Sequence, residues 1–264
     1  MSSIPPALRR AQILERIQRD GGVSIADLAR DLTVSSITVH RDLEALSKEG
    51  LVERVHGGAR AMPAAGPPTA IPPTGWEQRA AVNRGAKATI AQYAARMVRS
   101  GSTIFLDSSS TCLALARQLV SEPATELTLV TNSPAIAYEL QDERILVIVT
   151  PGELDQHMRL LAGRWTTDFL SGLNFELAFC SAAGVTLDAG LTTSRRALAD
   201  VINAASANAA RTIGLIDSNK FGRASLLTIA RAQDLDAIIT DDGLNAELEK
   251  EFRQAGVKLD IVRT

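Results

Sequence analysis

The stretch that decides the fold is SIADLARDLTVSSITVHRDLEALSKEGLVERVHGGAR, at residues 24–60. Ser24 is a good helix cap, because Asp27 lies three residues on and apolar residues then recur at helical spacing. Ser35 can cap a second helix, in which Val39 and Leu43 fall on one face. A glycine, a short apolar strand and a His-Gly-Gly hairpin tip follow. This order of elements predicts a winged helix-turn-helix.

The outward face of the second helix and the hairpin carry side chains suited to DNA. Hydroxyls and guanidinium groups can meet phosphates and base edges, and an isoleucine can meet a thymine methyl group. The candidate DNA-binding residues are Ser35, Ser36, Ile37, Thr38, His40, Arg41, Arg54, His56 and Arg60. Upstream, residues 8–20 predict a first helix whose Ile13, Leu14 and Ile17 face the same small core. The alternative is a small helical domain that packs against another surface.

The charge of this first module is close to neutral. Residues 1–62 hold nine Lys or Arg and eight Asp or Glu. Binding to duplex DNA must therefore depend on where the charges lie and on the pairing of two modules, since bulk positive charge is absent. We expect a homo-oligomer, either a dimer or a tetramer.

Length and composition indicate two domains. We assign residues 1–60 to the DNA-binding domain, 61–75 to a linker with five prolines and no charge, and 76–264 to a second domain. The chain opens with no signal-like segment and has no stretch of eighteen apolar residues, so we expect a cytoplasmic protein that spans no membrane. Cys112 and Cys180 lack paired spacing, which predicts buried reduced thiols and no metal site.

The second domain alternates strand-like and helix-like segments. Helix-like segments cover residues 85–99, 112–121, 134–141, 196–210 and 243–254. The strand-like runs are Thr103 to Leu106, Leu127 to Thr131, Ile145 to Val149, Leu177 to Cys180, Ile213 to Ile216, Ala237 to Ile239 and Leu259 to Val262. This alternation predicts an α/β fold, with a mostly parallel, Rossmann-like sheet covered by helices on both faces.

Ligands of such sheets bind beyond the carboxyl ends of the strands, where this chain has polar or glycine-containing clusters. Hydroxyls and amides at a helix start can cradle a phosphate, and a lysine at the same edge can balance its charge. The candidate effector-binding residues are Asp107, Ser108, Ser109, Ser110, Thr111, Asn132, Ser133, Gly184 and Lys220. Taken singly, each cluster is better explained as an ordinary helix cap. Together with a lysine at the same edge, the clusters fit an anion site as well as they fit helix caps.

An enzyme with an attached helix-turn-helix is the alternative function. Such an enzyme needs a general base and a second acid near the reacting atoms of its substrate. Outside the first module the one histidine is His157, and no acid and base pair surrounds it. We therefore expect a sensor without catalytic residues and without a cofactor.

Residues 23–59 resemble the DNA-binding signature of the DeoR family of bacterial sugar-metabolism regulators. The resemblance continues through FLDSSST at 105–111, LVTNS at 129–133, GLTT at 190–193 and DSNKFG at 217–222, so it covers nearly the whole chain. It implies a repressor of a carbohydrate-metabolism operon, and an effector domain that is related to sugar-phosphate isomerases and binds a phosphorylated sugar or a related metabolite. The enzyme that this relation leaves as the alternative is a sugar-phosphate isomerase with an attached helix-turn-helix. Gly152 joins the candidate effector-binding residues through this resemblance.

The chain departs from the family pattern at three places. His40 stands where family members commonly have the first of two arginines, so the operator sequence does not carry over. Pro151 precedes Gly152 where two glycines are usual, and proline stiffens the loop. Arg195 and Arg196 replace polar or acidic residues, and they either reach the effector pocket or lie on the surface or at a subunit interface. We favour the second alternative.

Overall fold

The computed structural model describes residues 5–20, 22–48, 51–55, 57–61, 76–121 and 126–263. Its contacts divide the chain into two compact units. The first unit contains the described residues up to 61 together with Trp76–Arg84, and the second begins at Gly85. By contact, the segment Trp76–Arg84 thus groups with the first unit, although composition assigned it to the second domain. Residues 62–75 of the expected linker lie outside the described ranges.

The first unit has the elements of a winged helix-turn-helix. They are α1 (Pro6–Asp20), β1 (Gly22–Ser24), α2 (Ile25–Asp31), α3 (Ser36–Lys48), β2 (Val52–Val55), β3 (Gly58–Ala61) and α4 (Trp76–Ala81). Strand β3 pairs antiparallel with both β2 and β1, so the wing is a three-stranded sheet. Strand β1 is too short to give a periodic signal, and the sequence pattern did not predict it. Helix α4 packs against α1.

The core of the first unit confirms the predicted inward faces. Ile13, Leu14 and Ile17 of α1 are buried together with Val39 and Leu43 of α3. The predicted cap of α2 is also confirmed. Ser24 Oγ accepts a hydrogen bond from the Asp27 N–H at 3.0 Å and lies 2.7 Å from the Asp27 carboxylate. The sequence alone therefore determined how these helices begin and which faces they bury.

The second unit is an α/β layer structure. Its helices are α5 (Arg84–Ala95), α6 (Ser110–Ser121), α7 (Pro134–Glu139), α8 (Arg164–Ser171), α9 (Arg196–Ser206) and α10 (Ala246–Gln254). The strands of its main sheet are β4 (Thr103–Leu106), β5 (Leu127–Thr131), β6 (Ile145–Val149), β9 (Leu177–Cys180), β12 (Thr212–Leu215), β14 (Ala237–Asp241) and β15 (Leu259–Val262). The shorter strands are β7 (Glu153–Asp155), β8 (Leu160–Ala162), β10 (Gly184–Thr186), β11 (Gly190–Thr193) and β13 (Leu227–Ala230).

The main sheet is parallel throughout, as the alternation predicted. Its order is β15-β14-β12-β9-β4-β5-β6. The first three strands along the chain, β4, β5 and β6, lie side by side toward one edge of the sheet. The next strand of the sheet, β9, lies on the other side of β4. The order of strands thus reverses between β4 and β9. In open parallel sheets this reversal creates a crevice at the carboxyl ends of the two strands.

Two small antiparallel sheets accompany the parallel sheet. One is the hairpin of β7 and β8, and the other has the order β10-β11-β13. Their strands have three or four residues each, which is too few to separate from loop by periodicity. Within the described ranges, no helix combines the length and the apolar character that a membrane span requires.

Candidate functional site

Helix α3 presents the outward face that the sequence predicted. Ser36, His40 and Arg41 are exposed, and the Ile37 side chain is 66% exposed although it is large and apolar. This exposed apolar side chain is available to the methyl group of a thymine base. The exposed face of α3 is therefore the candidate reading surface.

The start of α3 is fixed by its own hydroxyl groups. Ser35 Oγ accepts a hydrogen bond from the Thr38 N–H at 3.2 Å, and it lies 2.9 Å from Thr38 Oγ1. Thr33, in the preceding turn, has a φ of 53°. Ser35 and Thr38 thus have a structural role as the helix cap in addition to their predicted contact with DNA.

Arg54 of the wing is directed at α3. Its guanidinium donates a hydrogen bond to His40 Nδ1 at 3.0 Å and lies 3.5 Å from the His40 carbonyl oxygen. Because a guanidinium has no acceptor, the imidazole must accept at Nδ1. His40 and Arg54, which the sequence treated as separate candidates, form one unit that joins the reading helix to the wing.

The tip of the wing requires glycine at two consecutive positions. Gly57 has a φ of +82°, and its carbonyl oxygen accepts a hydrogen bond from the Ile25 N–H at 2.9 Å. A Cβ on Gly58 would lie 2.1 Å from the Val23 carbonyl oxygen, so no side chain fits there. The predicted DNA-binding residue His56 and the side chain of Arg60 lie outside the described part of the wing.

A buried ion pair holds α3 against α1. Arg9 Nε lies 2.6 Å from Asp42 Oδ2, and Arg9 Nη2 lies 3.3 Å from Asp42 Oδ1. Both side chains are less than a tenth exposed. Such a bidentate pair fixes the distance and the rotation of the two helices. The reading helix is therefore supported from its inner side by a charged contact.

In the second unit, Asp107 spans the crevice between β4 and β9. It follows β4 and is fully buried. One carboxylate oxygen accepts a hydrogen bond from the Ser109 N–H, and the other accepts one from the Ser181 N–H, both at 2.9 Å. With both oxygens engaged by backbone donors, Asp107 orders the loops after the two strands.

Lys220 reaches the same crevice from the loop after β12. Its ammonium group donates a hydrogen bond to Ser181 Oγ at 3.0 Å and lies 3.4 Å from the carboxylate of buried Asp217. Ser181 Oγ donates in turn to the Leu215 carbonyl oxygen at 2.7 Å. Ser181 thus connects Lys220 with Asp107, so the structure brings these two predicted effector-binding residues to one place.

The loop after β5 contributes Asn132 and Ser133. Ser133 Oγ caps α7 by accepting from the Ile136 N–H at 3.3 Å. The Asn132 side-chain amide donates to the Leu161 carbonyl oxygen of β8 at 3.1 Å, and its backbone carbonyl accepts from the Leu161 N–H at 2.8 Å. Ser133 therefore acts as an ordinary cap, whereas Asn132 attaches the β7–β8 hairpin to the sheet edge.

Three buried oxygen atoms at the ends of β4, β5 and β6 have no hydrogen-bond partner among the described residues. They are Thr111 Oγ1, Asn132 Oδ1 and Thr150 Oγ1, on side chains that are at most 2% exposed. A buried polar atom without a partner costs about 1–3 kcal/mol, and it is commonly satisfied by water or by a ligand. Ser108 and Ser110, beside Thr111, are also buried.

Gly152 has a structural reason to be glycine. Its φ is +150°, and a Cβ there would lie 2.2 Å from Thr166 Oγ1 and 2.6 Å from the Ala162 carbonyl oxygen. Gly184 is buried, and its carbonyl oxygen accepts a hydrogen bond from Thr192 Oγ1 at 2.9 Å. Close packing therefore explains the glycine at position 152, and the relation of Gly152 and Gly184 to an effector stays a prediction.

The two unusual arginines have different surroundings. Arg196 is 82% exposed and forms an ion pair with Asp200 of its own helix at 3.5 Å. Arg195 is 38% exposed, and its guanidinium lies 3.9 Å from the Asp155 carboxylate in the β7–β8 hairpin. Arg196 therefore lies on the surface, while Arg195 links the start of α9 to the hairpin.

The histidine and the two cysteines of the second unit differ in their exposure. His157 is exposed in the turn of the β7–β8 hairpin. Both cysteines are buried, and burial together with the nearby carboxylate of Asp107 raises the pKa of the Cys112 thiol and of the Cys180 thiol. Raised thiol pKa values oppose a nucleophilic role at neutral pH. The prediction of buried reduced thiols is confirmed.

The list of candidate residues omitted Ser181, Asp217, Thr150 and Thr192. Ser181 directly follows β9, and Asp217 lies two residues after the end of β12. Their importance follows from contacts between loops that are distant in sequence. Thr192 lies within the GLTT stretch at 190–193, but nothing in that stretch indicates its contact, in which Thr192 Oγ1 accepts from the Ser225 N–H at 2.8 Å.

Comparison with known proteins agrees with this architecture. Residues 9–64 match the family described as DeoR-like helix-turn-helix domain, and residues 82–242 match the DeoR C terminal sensor domain. The HTH-type transcriptional regulator GolR of Listeria innocua is 32% identical over 257 residues, which cover 97% of this chain and 98% of that protein. The lactose phosphotransferase system repressor of Lactococcus lactis is 30% identical, covering 93% of this chain and 95% of that protein.

A solved structure with a similar arrangement is ribose 5-phosphate isomerase A from Methanocaldococcus jannaschii. The match has a TM-score of 0.40 and 19% sequence identity, and it covers 53% of this chain and 55% of that chain.

Proposed function

The chain belongs to the DeoR family of transcriptional regulators, and we propose that it represses a carbohydrate-metabolism operon until a phosphorylated sugar or a related metabolite binds its second unit. In this proposal the first unit binds operator DNA as part of a homo-oligomer. The second unit binds the effector in the crevice between β4 and β9. Three lines of support come from the exposed face of α3, the crevice and the charge of the first unit.

The exposed face of α3 is the observation that carries the DNA-binding part. It combines an exposed isoleucine, two hydroxyl residues at the helix start and the cationic Arg41. Arg54, held by His40, adds a second guanidinium beside the helix. This arrangement fits a helix in the major groove with a wing near the phosphate backbone. The roles of Ile37 and Arg41 remain proposals that DNA titration tests.

Buried polar atoms without partners support the effector part. Thr111 Oγ1 lies at the start of α6 and Asn132 Oδ1 lies beyond the neighbouring strand β5. Lys220 adds a cation beside Ser181, which directly follows β9. A helix start, buried acceptors or donors and a lysine together suit an anionic group attached to a polyhydroxyl body.

The near-neutral first module supports an assembly of several copies. With nine cationic and eight anionic residues in positions 1–62, one module gains little from bulk charge. A twofold pair of modules doubles the phosphate contacts on one operator. We therefore propose a homo-oligomer as the DNA-binding form.

Titration of labelled DNA tests the regulatory part. Fluorescence anisotropy of a fragment from the gene's own upstream region should show salt-sensitive binding. Arg41→Ala should weaken binding and reduce the slope of log affinity against log salt by about one if Arg41 contacts a phosphate. Arg164→Ala, which removes an exposed arginine of the second unit, is the matched control and should leave the slope unchanged. Absence of DNA binding by folded protein at moderate salt would refute the proposal.

A thermal-shift screen tests the effector part. Phosphorylated sugars should raise the melting temperature of the second unit, and the corresponding sugars without phosphate should not. A ligand at 100 times its Kd stabilises the folded state by about 2.7 kcal/mol. Lys220→Met should remove this shift, while Arg231→Met, at an exposed arginine outside the crevice, should keep it. Turnover of any phosphosugar would instead favour the isomerase alternative.

A further inference from the structure

The parallel sheet has two edge strands of opposite character. Strand β15 contains Asp260 and is flanked by Lys258 and Arg263, and such charges prevent pairing with another chain. Strand β6, at the other edge, reads Ile-Leu-Val-Ile-Val and contains no charge and no proline. An apolar, uncharged edge is the kind that pairs with a further strand. The difference within one sheet indicates that the edge at β6 is covered.

The hydrogen bonds at the ends of β6 define which backbone groups face outward. The Leu127 N–H donates to the Arg144 carbonyl oxygen at 3.2 Å, and the Thr150 N–H donates to the Thr131 carbonyl oxygen at 2.9 Å. The N–H and C=O of one strand residue point to the same side, and the side alternates along the strand. The even-numbered residues of β6 therefore bond to β5, and the odd-numbered residues point away from the sheet.

The outward backbone groups belong to Ile145, Val147 and Val149. The Ile145 N–H is satisfied by the Asp142 carbonyl oxygen at 3.0 Å. For the N–H groups of Val147 and Val149, the described residues supply no hydrogen bond. Both donors are thus available at the sheet edge.

Exposed apolar side chains extend this edge. Leu146 is 62% exposed and Val149 is 40% exposed, although both lie in the strand. Tyr138, in helix α7 that packs beside β6, is 79% exposed. Backbone donors and apolar side chains therefore occur together on one side of the second unit.

We propose that β6 pairs antiparallel with β6 of a second copy, about a twofold axis at Val147. The axis must pass through a residue, because paired residues have to lie on the same face of the joined sheet. An axis at Val147 places Ile145 opposite Val149 and Leu146 opposite Ile148. Every cross-strand pair is then apolar, and about four backbone hydrogen bonds form across the axis.

Self-complementarity and charge argue for a second copy as the occupant of this edge. With the axis at Val147, Arg144 lies opposite Thr150 and Glu143 lies opposite Pro151, so like charges of the two copies stay at opposite ends of the ribbon. Arg144 is already paired with Asp142 at 2.5 Å. The strand thus meets its own copy without charge repulsion. This inference specifies the interface of the homo-oligomer in the proposed function. It rests on that proposed function for the choice of a second copy as the partner.

The molar mass of the full chain without DNA tests the pairing. It is measured by light scattering coupled to size-exclusion chromatography. Leu146→Lys and Val149→Lys each introduce charges that face apolar side chains of the other copy. Either variant should halve the molar mass of the wild-type assembly. Leu226→Lys, at a position that is 78% exposed and outside β6, is the control and should leave the mass unchanged. Circular-dichroism melting should give the wild-type fold for all three, since each position is exposed.

Oxidative cross-linking gives a second, independent measurement. Facing Cα atoms of a hydrogen-bonded antiparallel pair are about 5.5 Å apart, within the range of about 4.4–6.8 Å that a disulfide spans. Val147→Cys should therefore yield a covalent dimer with mild oxidant, while Leu226→Cys should not. The two native cysteines are buried and do not compete.

Three outcomes would overturn the pairing: a monomeric wild-type chain, an unchanged mass in both lysine variants, or no cross-link in Val147→Cys. A monomeric chain whose β6 edge captures an added copy of the β6 peptide also counts against it, because the edge is then open in solution. The proposed function fails by a different result, the absence of operator binding by the wild-type chain, so the two failures are distinguishable.

Discussion

Replacement of Asp42 by alanine should destabilise the first unit strongly. Asp42 receives two hydrogen bonds from the Arg9 guanidinium, at 2.6 and 3.3 Å, and the two side chains are 9% and 8% exposed. The substitution leaves the guanidinium buried beside α3 without its carboxylate. Removal of one partner from a buried ion pair costs about 3–5 kcal/mol. This is a large part of the stability of a unit of this size.

The two tryptophans of the chain allow the first unit to be followed alone. Trp76 is 9% exposed in the first unit, and Trp165 is 72% exposed in the second. In a Trp165→Phe background, the fluorescence of Trp76 reports urea unfolding of the first unit. With a slope of about 1.5 kcal/mol per M, the loss in Asp42→Ala lowers the urea midpoint by about 2–3 M. DNA affinity should fall in parallel, because α3 loses its support.

Two companion variants make the reasoning refutable. Arg30→Ala removes a guanidinium from an exposed pair with Asp27 and should move the midpoint little, because solvent screens that pair. Arg9→Met combined with Asp42→Leu replaces both charges and should recover most of the lost stability. If Asp42→Ala shifts the midpoint no more than Arg30→Ala does, the buried pair does not hold α3.

Three further predictions concern the wing, the thiols and acid stability. His40→Ala and Arg54→Ala should lower DNA affinity non-additively in anisotropy titrations, because Arg54 donates to the imidazole, and additive losses would contradict the contact. Both cysteines should resist Ellman's reagent at about pH 8 in the native state and react in urea, since burial raises the thiol pKa; fast native labelling would count against this. The side-chain hydrogen bond from Arg144 lowers the pKa of Asp142 to about 2, below its ordinary value of 3.8. The contribution of ionised Asp142 to stability is therefore complete when the pH is above 3.8, and it is lost as the pH falls toward about 2. Urea midpoints of the wild type and Asp142→Asn should therefore converge on acidification, and a constant difference would be unexpected.

The sequence predicted the elements of the first unit because each depends on local features. Ser24 and Ser35 cap α2 and α3 through side chains that bond only three residues ahead. Helical spacing likewise fixed which residues face the core. The His40–Arg54 contact joins positions fourteen residues apart on different elements, and periodicity holds no information about it.

The main strands of the second unit were also predicted from local features of the sequence. Seven apolar runs predicted the strands of the parallel sheet with nearly correct bounds. Binding of an effector at the carboxyl ends of these strands stays a prediction. The sequence did not predict the small sheets, because strands of three or four residues are too short to show an alternation of apolar and polar residues. These strands are β7, β8, β10, β11 and β13. The hairpin of β7 and β8 brings the backbone of Ala162 against Gly152, which explains that glycine by packing.

The sequence by itself determined that this chain has a winged helix-turn-helix and a parallel α/β unit, and that polar clusters follow its strands, because caps, periodicity and strand composition are local properties. The tertiary structure decided which clusters meet. Strand order reverses between β4 and β9, so Asp107, Ser181 and Lys220 converge although the chain separates them widely. It also decided that β6 is an edge, since an apolar strand looks the same in sequence whether one or both of its sides are paired.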